Sequence, residues 1–271
     1  MKLKNRIVLL TGAARGIGRE IAKEMARVGA EVLGVDLRLD DLQETAREVG
    51  ALGSSFKGFA CDITDHDATK KMVAEITGRH GGFDVLINNA GVLPSGPYLD
   101  RDFEVWRRAV EINLLGMMHL TYLAVPHLKA KGAGHVVNIA SISGKFGSEG
   151  VVAYSASKHG VVGFSSALRS ELEGTGVSVS WVCPSQARTR LAENVSHTFL
   201  TPLVEPEDVA RAVRGAVEHD KIEVFVPRRM RLVTSVFPAL APRTARWVLR
   251  ISKASRGWLV AQKELPPLDS E

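Results

Sequence analysis

Tyr154 and Lys158 stand four positions apart in the run AYSASKHG, residues 153–160. On a helix that spacing puts both side chains on one face, where they can enter one cleft. A free phenol ionises near pH 10 and transfers protons poorly at neutral pH. An ammonium about 4–6 Å away, at an effective dielectric near 20, favours the phenolate by roughly 3–4 kcal/mol. The pairing is therefore expected to bring Tyr154 down by roughly two pKa units, towards the range of a working acid–base group. Alone, the spacing is better explained as a surface pair on an ordinary helix. The rest of the chain decides.

A second chemistry lies near the N-terminus. In TGAARGIG, residues 11–18, Gly12, Gly16 and Gly18 allow a tight turn, close backbone approach to a pyrophosphate and close helix–strand packing. The helix that follows offers free N–H groups and its positive dipole end to phosphates. Asp36 follows at the end of the next apolar run, where a carboxylate can hold ribose hydroxyls; its plain alternative is a strand-end cap.

These groups need a scaffold, and the apolar pattern supplies one. RIVLL (6–10), EVLGV (31–35), SFKGFA (55–60), FDVLI (83–87), GHVVNI (134–139), VSVSWV (177–182) and IEVFV (222–226) read as strands. Several are apolar at successive positions, as strands buried on both faces must be. Amphipathic stretches alternate with them; in GIGREIAKEMARVGA, Ile17, Ile21, Ala22 and Met25 share a face and Gly29 is a plausible stop. The alternation predicts an α/β fold, a doubly wound parallel sheet of about seven strands flanked by helices.

The chain has 271 residues, 45% apolar and 24% charged, which fits a globular domain with a sizeable core. Cys61 and Cys183 each end an apolar run and are expected to be buried thiols in a reducing compartment. The N-terminal apolar run leads straight into the glycine turn, unlike a signal peptide, and no run is long enough to span a bilayer, so a cytoplasmic protein is expected. Residues 1–226 hold 26 Lys and Arg against 27 Asp and Glu, whereas residues 227–271 hold 9 against 3. The organisation expected is one catalytic domain over 1–226 and a basic amphipathic extension over 227–271, with no nucleic-acid role for the body.

With these residues in view, the sequence resembles the short-chain dehydrogenase/reductase family over roughly residues 5–226. The glycines have its TGxxxGxG form; CDIT carries Asp62, NNAG spans 88–91, INLLG carries Asn113, and NIASISG carries Ser141, thirteen positions before Tyr154. The resemblance implies a Rossmann-type fold and a catalytic group of Asn113, Ser141, Tyr154 and Lys158. Tyr154 would move a proton to or from the substrate oxygen and Ser141 would hold that oxygen. Lys158 would depress the phenol and bind the nicotinamide ribose, and Asn113 would anchor a water that relays protons. It further implies a dinucleotide held by Gly12, Arg15, Gly16, Ile17, Gly18, Asp36, Asp62, Ile63, Asn89, Ala90, Gly91, Tyr154, Lys158, Pro184 and Thr189. The cofactor expected is NAD, with NADP less favoured because Asp36 would face the extra phosphate; Arg15 and Arg38 oppose that preference.

The family's Pro-Gly-x-Val-x-Thr run is here PSQARTR, with Ser185 and Ala187 in place of Gly and Val, which puts the loop geometry in question only if Ser185 must take positive φ. Ser143 and Ser157 are competing hydroxyls, and His119 and His159 are expected to be structural, with no metal site. Leu93, Pro94, Tyr98, Phe146 and residues 191–204 are expected to line the cleft, which suits a hydrophobic secondary alcohol or ketone, steroid- or lipid-like. Rival readings are a catalytically silent dinucleotide sensor on the same fold and a membrane-surface interaction protein. The resemblance suggests a homodimer or homotetramer through 101–130 and 154–173. In the extension, Met230, Val233, Phe237 and Leu240 share one helical face, as do Trp247, Ile251, Ala254 and Trp258. Pro238 and Pro242 should break the helix into two pieces. The arginine-rich polar side suits a peripheral membrane contact; the alternative is packing against the body.

Overall fold

The computed structural model describes residues 1–79, 81–189, 202–241 and 243–244. The strands β1 (Ile7–Thr11), β2 (Glu31–Asp36), β3 (Phe56–Ala60), β4 (Val85–Asn88), β5 (Gly134–Ile139), β6 (Val177–Pro184) and β9 (Glu223–Val226) form a parallel sheet in the order β3-β2-β1-β4-β5-β6-β9. Every neighbouring pair is parallel, so each connection crosses over through a helix. This is the doubly wound architecture the apolar runs predict. Val8, Leu9 and Leu10 on successive positions of β1 are fully buried because helices cover both faces of the sheet.

On one face, α1 (Gly16–Arg27) packs on α7 (Pro206–Glu218), and Ile21, Met25, Val209 and Val213 join Val8 and Leu10 in one core. On the other, α3 (His66–Arg79) and α5 (Met117–Ala130) bring Met72, Ile76, Leu120 and Leu128 against Leu9, Leu33 and Leu86. A third cluster at the β6 side joins Met117, Val161 of α6 (Val152–Glu171), Trp181, Cys183, Phe225 and Met230. Both cysteines are free buried thiols.

The strand order reverses between β1 and β4, the point at which a doubly wound sheet leaves a crevice beyond the carboxyl ends of its strands. The glycine turn follows β1 and NNAG follows β4, so the two motifs face each other across that point. α4 (Phe103–Val110) runs through a π-helical turn, Glu111–Gly116, directly into α5. π-Turns inside helices recur at functional positions, and this one carries Asn113.

After β6, the short strands β7 (Gln186–Ala187) and β8 (Leu203–Val204) pair in parallel as a separate clasp. Beyond β9 the chain is helical over 230–240, with a π-turn at Leu232–Val236 leading into α8 (Phe237–Leu240). Pro238 therefore does not interrupt the helix, against expectation. The Phe237 N–H reaches back five residues to the Leu232 carbonyl, and this widened turn accommodates the proline ring and its missing donor. Met230 and Val233 pack on the third core cluster, whereas Leu232 and Leu240 are exposed. Pro242, Trp247, Ile251, Ala254 and Trp258 lie outside the described residues.

Candidate active site

The turn after β1 is shaped by contacts that exclude a Cβ. Gly12 has φ +65° and lies against the Ala90 backbone, while a Cβ on Gly18 would stand 1.8 Å from the Gly12 carbonyl oxygen. The NNAG segment holds this turn from the other side. Thr11 Oγ1 accepts from the Asn89 and Ala90 N–H groups at 3.0 and 3.1 Å, and Asn89 Nδ2 donates to the carbonyls of Thr11 and Gly12 at 3.1 and 3.0 Å. Side-chain caps occur at α4, where Asp102 accepts from Glu104 N, and at α7, where Glu205 and Asp208 form a capping box, but not at α5 or α6. α1 starts at Arg15 with no side-chain cap. A helix start without a side-chain cap suits an anion such as pyrophosphate.

Gly16, at φ +55°, lies with its Cβ direction 3.2 Å from Thr189 Cγ2, so the glycine turn meets the loop that follows β6. Ile17 packs on the core beneath. Asp36 ends β2 beside the turn; one carboxylate oxygen accepts from Ala14 N and the other from Leu37 N, both at 2.9 Å. Each oxygen keeps lone-pair capacity for a ribose hydroxyl. Arg38 is exposed and paired with Asp41 at 2.9 Å, and the Asp36 carboxylate is among the charges that raise its guanidinium pKa. Asp62 accepts from Thr64 N and Oγ1 at 2.8 and 2.7 Å and from Arg108 Nη2 at 2.8 Å. Burial pushes its carboxyl up, but the Thr64 bonds and the Arg108 guanidinium outweigh that and hold it below the ordinary carboxylate range. Ile63 is buried against Gly116, and Pro184, at the end of β6, is buried opposite Val226.

The four predicted catalytic residues converge at the ends of β4 and β5. Asn113, 2% exposed, accepts from Val92 N at 2.8 Å and donates to Val92 O at 2.9 Å and to Ser157 Oγ at 3.3 Å. Its amide fixes the strand of chain after NNAG, and a Cβ on Gly91 would meet its Oδ1 at 2.8 Å. Ser141 accepts from Ser143 N at 3.1 Å, which orients the loop after β5. Lys158 Nζ lies 5.7 Å from the Tyr154 ring centroid and donates to the Ile139 carbonyl at 2.8 Å.

The electrostatics correct the sequence-based expectation for Tyr154. Burial pushes its phenol up to about 12, against the lowering effect of the Ser141 hydroxyl, and burial brings the Lys158 ammonium down to about 8. The Lys158 charge alone would lower the phenol, but holding either charge away from water costs more in this site. Tyr154 is thus a proton-loaded group at neutral pH.

Other expectations resolve locally. Ser185 does not take positive φ, donates to Pro202 O at 2.7 Å and sits under a β6–β9 bond from its own N–H, so this loop does not need the missing glycine. Ser157 donates to Tyr154 O at 2.8 Å and has a structural place beside the pair. His159 Nδ1 meets Ser155 O, whereas His119 stacks on His66 at 4.0 Å with a buried, unpartnered Nδ1. Pro94 is buried, Leu93 and Phe146 are half-buried, and Tyr98 is exposed and stacks on Trp106; the Gly96–Gly150 bond ties the two cleft loops together. Residues 191–201 lie outside the described residues. Arg108 was not singled out from sequence, because it reads as a solvated helix cation, and Thr11 and Thr64 lie in the TGAARGIG and CDIT runs without a role of their own being read there.

Such a crevice, with an open helix terminus, a strand-end carboxylate and a tyrosine–lysine–serine cluster, defines a dinucleotide-dependent oxidoreductase. The short chain dehydrogenase pattern matches residues 6–199, and the chain belongs to that family. It is 35% identical over 257 residues to the ketoacyl reductase HetN of Nostoc sp., covering 90% of each chain. It is 30% identical over 247 residues to the 17-beta-hydroxysteroid dehydrogenase 13 of Rattus norvegicus, covering 90% of this chain and 82% of that one. The crystal structure of a metagenomic short-chain oxidoreductase in complex with NADP superposes with a TM-score of 0.72 at 30% identity, covering 83% of this chain and 98% of that one. The protein is an NAD(P)-dependent oxidoreductase, and no described helix is long and apolar enough to cross a membrane.

Proposed function

We propose that the protein interconverts a hydrophobic ketone and its secondary alcohol, with Tyr154 as the proton-transfer group. The carrying observation is the convergence of Ser141, Tyr154 and Lys158 beside the end of β5, where burial keeps the phenol protonated. A bound nicotinamide supplies or takes up the hydride. The Ser141 hydroxyl holds the substrate oxygen, and Tyr154 gives that oxygen its proton in the reducing direction. Lys158, anchored on Ile139 O, is placed to fix the tyrosine and the cofactor's ribose. Asn113 holds the Val92 segment that borders the pocket. Similarity to a ketoacyl reductase and to a hydroxysteroid dehydrogenase supports a carbonyl flanked by apolar carbon.

NAD(H) is the favoured cofactor in this reading. Asp36 would meet a 2′-phosphate as a like charge, and Arg38 is engaged by Asp41. The test is a panel of ketoacyl, steroid and aliphatic ketones with both reduced cofactors, wild type beside Tyr154→Phe. Turnover on an apolar ketone, higher kcat/KM with NADH, and loss of turnover with retained cofactor affinity in the variant are expected. A Tyr154→Phe enzyme keeping more than a tenth of the rate removes the assigned role, and an NADPH advantage removes the cofactor preference.

The exposed Leu232 and Leu240 beside the exposed Arg228 and Arg231 support a second, peripheral role at an anionic lipid surface. Salt-sensitive sedimentation with anionic liposomes, lost on deleting 228–271 with folding and oligomer size unchanged, is the expected result; no binding at low salt ends it.

A further inference from the structure

The segment after β3 and the π-turn that carries Asn113 are far apart in sequence but fastened at two points. At the first, the Arg108 guanidinium on α4 forks: Nη2 donates to Asp62 Oδ2 at 2.8 Å and Nη1 to Thr64 Oγ1 at 2.9 Å. Thr64 closes the fork by donating to the other Asp62 oxygen through both its N–H and its hydroxyl. A planar fork bonded to two acceptors fixes direction as well as distance, which an ammonium cannot do. At the second point, the Ile63 carbonyl lies where a Cβ on Gly116 would stand 2.8 Å away, with Ile63 Cγ1 at 3.1 Å. Gly116 is the last residue of the π-turn, and Arg108 lies one turn before its first. Residues 62–64 thus grip the turn at both ends, with Asn113 between.

From Asn113 the contacts continue in two directions. Its amide makes both hydrogen bonds of the Val92 backbone and donates to Ser157, which donates to the Tyr154 carbonyl. On the other side, Asp62 follows β3, the strand next to the Asp36 end of β2. In a crevice with pyrophosphate at the β1 turn and ribose at Asp36, the adenine lies over this β2–β3 edge.

We propose that Arg108 is a positioning residue that couples occupancy of the adenine side of the crevice to the placement of Asn113 and Val92 on the catalytic side. An adenine nucleotide seated against residues 62–64 restrains them, and the restraint passes through the Arg108 fork and the Gly116 contact to the π-turn. The device tightens the pocket wall at Val92 only after the cofactor's adenosine half has docked. This inference rests on the dinucleotide reading of the crevice.

The Val92 N–H, donated to Asn113 Oδ1, reports on the coupling without a substrate. Amide hydrogen exchange is measured at Val92 with and without saturating 5′-AMP, whose binding is followed separately by calorimetry. In the wild type, 5′-AMP should slow Val92 exchange by about fivefold or more, the lower end of ordinary site-to-site coupling. Arg108→Met should still bind 5′-AMP yet lose most of that slowing, and Arg108→Lys, which keeps the charge without the fork, should recover only part. Thr64→Val provides the same comparison should the Arg108 variants fold poorly. Bound 5′-AMP with unchanged Val92 exchange in the wild type overturns the coupling alone. Equal slowing in wild type, Arg108→Met and Thr64→Val shows that Val92 is protected directly and overturns the role of Arg108. Absence of 5′-AMP binding to the wild type removes the dinucleotide reading and the coupling with it.

Discussion

Replacing Gly18 with alanine puts the tightest contact in the crevice under direct strain. The new Cβ would lie 1.8 Å from the Gly12 carbonyl oxygen and 2.8 Å from Asn89 Nδ2. Carbon and oxygen need more than 3 Å, so either α1 or the Gly12 peptide must move by over an ångström. Asn89 donates to that same carbonyl, and the Gly12 backbone is already against Ala90, so neither can yield alone. Overpacking of this kind costs about 1–3 kcal/mol, while alanine in a helix returns about 1 kcal/mol of propensity. The net expectation is destabilisation of up to about 2 kcal/mol, with a dinucleotide affinity lowered at least tenfold because the turn's N–H groups are displaced. Gly163 in α6 is the matched control: a Cβ there meets nothing within 4 Å and φ is not positive. Gly163→Ala should gain about 0.5–1 kcal/mol and bind cofactor normally. Urea denaturation and calorimetric titration of both variants provide the comparison. A Gly18→Ala protein with wild-type stability and affinity would refute the steric argument.

Three other groups give outcomes of their own. In the alcohol-oxidising direction the rate should climb with pH well beyond neutrality, because the Tyr154 phenol is pushed up to about 12; a plateau already reached at pH 7 would show that the Lys158 charge overrides burial in the loaded enzyme. His135, buried with Nε2 at 2.8 Å from Ser180 Oγ, has its imidazole lowered from 6.5 to about 4 by burial. Its neutral form is favoured in the folded state, so its contribution is complete above pH 6.5 and is lost as pH falls through about 4. Between pH 7 and 4.5 the wild type should lose about 2–3 kcal/mol more stability than His135→Gln in urea titrations, and equal losses would exclude the assignment. Ser185→Gly, although it restores the family's residue, should destabilise by about 1–2 kcal/mol through loss of the bond to Pro202 O and added chain freedom; a more stable variant would mean that the loop is strained after all.

The sheet was legible because its signal is local. Each of the seven runs becomes a strand within two residues at either end; burial on both faces demands consecutive apolar side chains in the inner strands, whereas β3, at the sheet edge, buries only Phe59. The glycine turn was equally readable, because positive φ at Gly12 and Gly16 and the contact behind Gly18 leave few other residue types possible. Features built from separated segments left no such trace. The β7–β8 clasp joins two-residue strands with no periodicity, and the Arg108 fork closes over forty residues of chain on a residue that reads as a solvated helix cation. Neither π-turn has a residue pattern of its own, which is why Pro238 looked like a helix end. Tyr154 shows the complementary failure: its neighbour was read correctly, but burial, which outweighs that neighbour's charge, is a property of the assembled site.

The clasp also bears on where such a chain can change over evolutionary time. Ser185 holds Pro202, Arg188 pairs with Glu205, and Gln186 and Ala187 pair with Leu203 and Val204, so the chain leaving β6 returns to a fixed dock before α7 begins. The intervening stretch is inserted between two welded ends. Its length and composition can drift without disturbing the sheet, because doubling such a span costs only about 0.6 kcal/mol in closure entropy. Change at that point is thereby separated from Tyr154 on α6 and from the glycine turn at α1, which the packed sheet and helices hold in place.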